Sequence, residues 1–133
     1  MNPHHLQGAA TEYEVAAFYL SRGYAVYWPS VTQSRHDLVI QKDGVFETVQ
    51  VKSAREEESG PNTYLRVRLD KPDRGTRPYE PGDFDILAVA HQGRVWLIPF
   101  EDLPSLSSIT LEKWGPSTRP WEHDYNPDNW RVK

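Results

Sequence analysis

Asp37, Gln50 and Lys52 are the residues of this chain whose types and spacing could do chemistry. Gln50 and Lys52 stand in Val49-Gln50-Val51-Lys52-Ser53, and Asp37 stands in His36-Asp37-Leu38-Val39-Ile40, thirteen residues upstream of Gln50. Both segments are short and rich in β-branched residues, as strands are, and Lys42-Asp43-Gly44 between them is a turn. Together they predict a β-hairpin with an acid near the start of its first strand. Side chains alternate along a strand, so Gln50 and Lys52 share one face while Val49 and Val51 share the other. An amide oxygen and an ammonium then stand side by side, with a carboxylate from the neighbouring strand in reach. That set suits a metal ion and a phosphate better than it suits a core.

The elements that must position these groups show as patterns. From about Gln7 to Arg22 the spacing predicts a helix whose apolar face is Leu6, Ala10, Tyr13, Ala16 or Ala17, and Leu20, with Gly23 as its stop. Its alanines are small enough for close approach to a sheet. Tyr24 to Trp28 reads as a strand ended by Pro29, and Ser30 to Ser34 as a polar loop. Beyond the hairpin, Arg55 to Pro61 reads as an acidic loop. Tyr64 to Leu69 alternates, with Arg66 and Arg68 on one face and Leu65, Val67 and Leu69 on the other. A long connection, Asp70 to Gly82, leads to a second hairpin, Phe84 to Ala90 and Arg94 to Ile98, over His91-Gln92-Gly93. Pro99 to Leu103 suits a helical turn and Ser108 to Glu112 a last strand. From Lys113 onward there is no periodicity, yet Trp114, Trp121 and Trp130 lie there, so the segment is expected to pack on its own domain or on a second subunit. The expected organisation is one domain over residues 1–112 and an extension over 113–133.

Length and composition bound the rest. At 133 residues, 38% hydrophobic and 26% charged, the chain suits one globular domain with a core and argues against wholesale disorder. No apolar run approaches membrane-spanning length, and Met1-Asn2-Pro3-His4-His5 does not read as a signal peptide. Zero cysteines exclude disulfides and thiolate metal sites, which suits the cytoplasm. The five histidines lack metal-ligand spacing, which argues against zinc. A net charge of −4 is unlike that of a general nucleic-acid binder. The acids, however, cluster at Glu56, Glu57, Glu58, Asp124 and Asp128, and the bases at Arg55, Arg66, Arg68, Lys71, Arg74 and Arg77. A local positive groove is compatible with that distribution.

A helix followed by strands that carry Asp37 and Gln50-x-Lys52 resembles the PD-(D/E)XK nuclease superfamily. Upstream, Gly8-Ala9-Ala10-Thr11-Glu12-Tyr13-Glu14, with Leu20 and Gly23, is similar to the first helix of archaeal-type Holliday junction resolvases. That likeness covers roughly residues 6 to 55. Phe84 to Val89 and Val95 to Pro99 resemble a branch that includes an intron-encoded homing endonuclease, which also carries Gln-Val-Lys. The resemblance implies an α/β, restriction-endonuclease-like fold: an α-β-β-β core with a mixed sheet, an added hairpin and an irregular C-terminal tail. It implies a metal, Mg²⁺ or Mn²⁺, held by Asp37, the Gln50 amide oxygen, the Val51 carbonyl and Glu12. Lys52 would stabilise the developing phosphorane charge or orient the attacking water. Ser34, Arg35, Ser53, Arg55, Arg66, Arg74 and Arg77 would contact DNA as a group. His36 replaces the proline of the motif, a position that shapes a turn. Gln50 in place of an acid removes one negative charge, which lowers metal affinity unless Glu12 compensates.

The function so implied is a metal-dependent DNA endonuclease of the junction-resolving type. It would be a homo-oligomer, dimer first with a tetramer open, working on DNA in the cytoplasm of a host, phage or intron context. A sequence-specific homing or restriction-like enzyme and a degenerate, non-catalytic DNA-binding or assembly module stand beside it as alternatives.

Overall fold

The computed structural model describes residues 3–31, 34–69, 77–116 and 124–132, and begins with one long helix, α1 (Pro3–Ser21). Proline is tolerated in a first helical turn, where its missing N–H has no intrahelical partner. The helix ends where Gly23 turns into the left-handed region at φ 86°. There Tyr24 N–H donates to Tyr19 C=O and Gly23 N–H to Leu20 C=O, which is a Schellman cap.

Among the described residues eight strands follow: β1 (Ala25–Tyr27), β2 (Leu38–Lys42), β3 (Val45–Ser53), β4 (Arg55–Ser59), β5 (Asn62–Arg68), β6 (Ile86–His91), β7 (Arg94–Pro99) and β8 (Ser108–Trp114). They form a five-stranded sheet in the order β1-β2-β3-β6-β7 and a three-stranded sheet in the order β4-β5-β8. In the larger sheet β3 and β6 run parallel and every other pair is antiparallel, so the α/β mixed-sheet architecture expected from the sequence is present. The β2–β3 turn carries Asp43 at φ 53° and Gly44 at φ 79°, and the β6–β7 turn repeats this at Gln92 and Gly93. Paired left-handed residues give a turn whose twist matches the flanking strands.

The larger sheet is covered on both faces. On one, Val15, Ala16 and Tyr19 of α1 meet Leu38, Ile40, Val49, Val51, Ala88 and Ala90. On the other, Leu87, Val89, Trp96 and Ile98 meet Leu65, Val67, Ile109 and Leu111 of the smaller sheet. Strand β6 alternates between these two cores, as a central strand requires, whereas β3 gives Val49 and Val51 to the helix side alone. Asp85 fixes the parallel register, its carboxylate accepting from Thr48 N–H at 2.8 Å and its own N–H donating to Thr48 C=O at 3.0 Å.

Three sequence expectations need correction. The buried face of α1 is Thr11, Val15, Ala16 and Tyr19, whereas Leu6, Tyr13 and Leu20 of the expected face are 53%, 67% and 55% exposed. The supposed acidic loop from Arg55 to Pro61 is largely strand β4, hairpin partner of β5. The last strand runs on to Trp114, two residues past the expected end at Glu112. Farther on, Tyr125 accepts from Thr110 N–H and donates to Thr110 C=O, both at 3.0 Å. Leu97 N–H donates to Trp130 C=O and Val132 N–H to Val95 C=O, both at 2.9 Å, so residues 130–132 lie along β7. Trp121, Lys71 and Arg74 lie outside the described residues. Among the described residues no helix is long and apolar enough to cross a membrane.

Candidate active site

The site arises because β3 outruns its neighbour. Strand β2 begins at Leu38, paired with Val49, and the backbone just before it stays beside β3. Asp37 N–H donates to Val49 C=O, and the Asp37 carboxylate accepts from Val51 N–H, both at 2.8 Å. The acid is thereby pinned alongside Gln50-Val51-Lys52. Since Val49 and Val51 are committed to the helix-side core, Gln50 and Lys52 face the other way. Gln50 is only 8% exposed, an unusual depth for an amide that serves no core contact.

The helix reaches the same place through Thr11. Its hydroxyl donates to Gln7 C=O at 2.9 Å, so the proton in the 2.6 Å contact with Ser53 comes from Ser53. This bond stitches α1 to the end of β3 and brings the next residue, Glu12, toward Asp37. Burial, and secondarily the Asp37 charge, push the Glu12 carboxyl above its ordinary value. Two acids held where their charges oppose each other are a place that a cation would relieve.

A cleft of about 570 Å³ opens here. Gln7, Gly8, Thr11 and Glu12 form its helical wall, and Asp37 with residues 50–53 its floor. The third wall is the smaller sheet, through Arg55, Glu57, Arg66 and Arg68. Glu57 accepts from Arg68 at 2.8 Å and lies 3.6 Å from the Arg66 guanidinium. Nothing stands within 4 Å of where a side chain on Gly8 would begin, so the lip of the cleft is open there.

Of the residues singled out in the sequence, Glu12, Asp37, Gln50, Val51, Lys52, Ser53, Arg55 and Arg66 converge on this cleft. Ser34, Arg35 and Arg77 do not line it. The Ser34 hydroxyl lies 3.2 Å from His36 Nδ1. Arg77 forms a two-pronged pair with Asp83 at 2.9 Å, and Arg35 lies 3.4 Å from the same carboxylate and over the Tyr79 ring. The Arg77 hydrogen bonds hold the Asp83 carboxyl down at about 2. Arg74 lies outside the described residues. Thr11, Glu57 and Arg68 were missed as site residues. Alternation would have put Glu57 on the same face as Arg55, had the glutamate run been read as a strand.

The donor set is hard oxygen, from two carboxylates and an amide, which is the ligand chemistry of Mg²⁺ or Mn²⁺. Among the described residues no three Asp, Glu, His or Cys side chains group to hold a metal by themselves. An ion here would need the Gln50 oxygen, a backbone carbonyl and water to complete its shell, which fits the habit of Mg²⁺ to keep several waters.

Comparison with known proteins bears on the family and the fold. A family model described as PD-(D/E)XK endonuclease matches residues 1–128. Protein 5.3 of Escherichia phage T7 is 41% identical over 113 residues, spanning 85% of this chain and 94% of that protein. The structure of a bacterial homing endonuclease, I-Ssp6803I, superposes with a TM-score of 0.71 at 22% identity, covering 98% of this chain and 88% of the other. At that identity the likeness is one of fold.

Proposed function

The chain belongs to the PD-(D/E)XK endonuclease family, and from that premise we propose that it is a divalent-metal-dependent DNA endonuclease working in the cleft between α1, β3 and the smaller sheet. The observation that carries this reading is the pinning of Asp37 on the Val51 amide beside Gln50 and Lys52, with the raised carboxyl of Glu12 facing it. Asp37, Glu12, the Gln50 amide oxygen and the Val51 carbonyl would hold Mg²⁺ or Mn²⁺. When bound, such an ion polarises a phosphoryl oxygen and lowers the pKa of a coordinated water. Lys52 aims its ammonium at the charge that develops on phosphorus, a contribution of about 3 kcal/mol in a dry site. Arg55, Arg66 and Arg68 offer the scissile strand phosphate contacts along the third wall. A phosphate entering there competes with Glu57 for the two arginines, which keeps the cleft near neutral until substrate arrives.

For the substrate, a specific duplex site is favoured over a four-way junction. The resolvase-like pattern stops near residue 55, whereas the fold shared with a homing endonuclease takes in the whole chain, smaller sheet included. Junction resolution remains the second reading, motivated by Gly8, Glu12, Leu20 and Gly23 of the first helix. We further propose a homo-oligomer acting on DNA in the cytoplasm.

The test pairs cleavage with binding. With Mn²⁺ present, linear DNA of mixed sequence should be cut at one recurring site, and junctions no faster than linear controls. Asp37→Asn keeps an oxygen for the Val51 amide, so it should fold and bind DNA yet fail to cut. Calorimetric titration should show Mn²⁺ binding that Asp37→Asn removes. Absence of both cleavage and Mn²⁺ binding in the unaltered protein would overturn the enzyme and leave the non-catalytic module.

A further inference from the structure

Of the face expected to pack on the sheet, Leu6, Ala10, Tyr13, Ala16 or Ala17, and Leu20, the structure buries Ala16 and turns the stripe Leu6, Ala10, Tyr13, Ala17 and Leu20 to solvent. Its spacing is four, three, four, three, the repeat by which helices interlock in pairs. A neighbouring side of α1 is already committed to the sheet through Val15, Ala16 and Tyr19. Single exposed apolar residues are ordinary, but this is a continuous seam along the whole helix. Trp28 extends it, its ring 5.7 Å from that of Tyr13. From these observations we infer that this face of α1 is the docking surface for a second copy of the chain, with the two helices antiparallel across a two-fold axis through Tyr13.

The occupant follows from the symmetry of the stripe. Leu6 and Leu20 each lie seven residues from Tyr13, and Ala17 and the exposed Ala9, which borders the stripe beside Ala10, each lie four residues from it. Reversing the helix about Tyr13 therefore sets Leu6 against the partner's Leu20 and Ala9 against the partner's Ala17. The two Tyr13 rings meet at the axis. Self-complementarity of one patch is what a two-fold interface demands, and a seam made for an unrelated helix has no need of it. The alanines let the two backbones approach closely while the leucines and tyrosines fill the gaps.

The area is consistent with the same occupant. The stripe with Trp28 exposes on the order of 500 Å² per copy, so pairing removes roughly 1,000 Å² in total, the lower bound for a specific interface. At that lower bound the dimer is to be sought by dilution through the micromolar range. The inference rests on exposure and spacing and does not depend on the nuclease reading, so its test uses no cleavage assay.

Sedimentation equilibrium of the full chain across that range should show a reversible monomer–dimer system. The double variant Leu6→Glu, Leu20→Glu should weaken association at least about tenfold with an unchanged circular dichroism spectrum, because both side chains are already in water. Zero native cysteines make the symmetry testable by cross-linking. Tyr13→Cys alone should form a disulfide-linked dimer under mild oxidation. Leu6→Cys and Leu20→Cys should each cross-link poorly alone and efficiently when mixed. A chain that stays monomeric into the submillimolar range would overturn the inference. So would a dimer that survives the double glutamate variant, or one that Tyr13→Cys fails to link.

Discussion

Glu12 concentrates the conflict between stability and chemistry in one side chain. Its carboxyl is raised by burial and by Asp37, so the folded protein holds this proton more tightly than the unfolded chain does. A carboxyl shifted upward costs stability as pH climbs through and beyond the ordinary glutamate range. Glu12→Gln is therefore expected to raise the melting temperature of the metal-free protein at neutral pH, with the gain vanishing in acid. The same change should lower cleavage by at least about tenfold through loss of a group on the cation. Calorimetry at two pH values beside a rate assay checks both halves. Lys52→Ala should cost about 10²- to 10³-fold in rate with little change in melting temperature. Gly8→Ala is expected to stabilise α1 by about 0.5–1 kcal/mol while weakening DNA binding, since it fills the open lip of the cleft. At this scale the sequence was informative. Amide and ammonium on one strand need nothing but β alternation to share a face, and the acid just ahead of β2 needs only its bonds to Val49 and Val51 to join them. Thr11 was not legible, because its importance lies in one hydrogen bond to Ser53, forty-two residues away.

The connection into β6 is an element held by charge. Asp83 gathers Arg77, Arg35 and the Glu80 N–H, and its carboxyl lies at about 2 against an ordinary 3.8. A depressed carboxyl contributes stability that is complete above its unfolded value and disappears as pH falls toward its folded one. The clamp should thus hold at neutral pH and loosen between about pH 4 and pH 2. Asp83→Asn is expected to lower the melting temperature at neutral pH and to flatten the acid limb of the stability curve, with hydrogen exchange of residues 77–85 reporting the loosening. Strand β4 and the inner face of α1 were misread for related reasons. Three consecutive glutamates hide an alternating pattern, because at a sheet edge the outward and inward positions are equally wet. In α1 two apolar stripes run side by side, and hydrophobicity alone does not say which one meets the sheet.

At the scale of the molecule, two cores share one sheet. Ile40 lies in the helix-side core and Leu87 in the core between the sheets, both essentially inaccessible. Ile40→Ala and Leu87→Ala are each expected to cost about 2–5 kcal/mol. Denaturant unfolding should remain a single transition in both variants, because β6 and β7 serve the two cores at once. The net charge of −4 looked discouraging for a DNA enzyme, yet the fold gathers Lys52, Arg55, Arg66 and Arg68 on one cleft, where Glu12, Asp37 and Glu57 offset most of their charge. That gathering depends on β4 and β5 closing over the end of β3, a long-range event with no local signature. The two-sided character of β3 carries a further consequence. Inserting one residue upstream of Val49 would exchange odd and even positions, burying the ammonium under the helix and presenting valines to the phosphate. Descendants of this chain are then free to lengthen the strand by pairs but not by singles, so its evolutionary history should show a rule of parity at this hairpin.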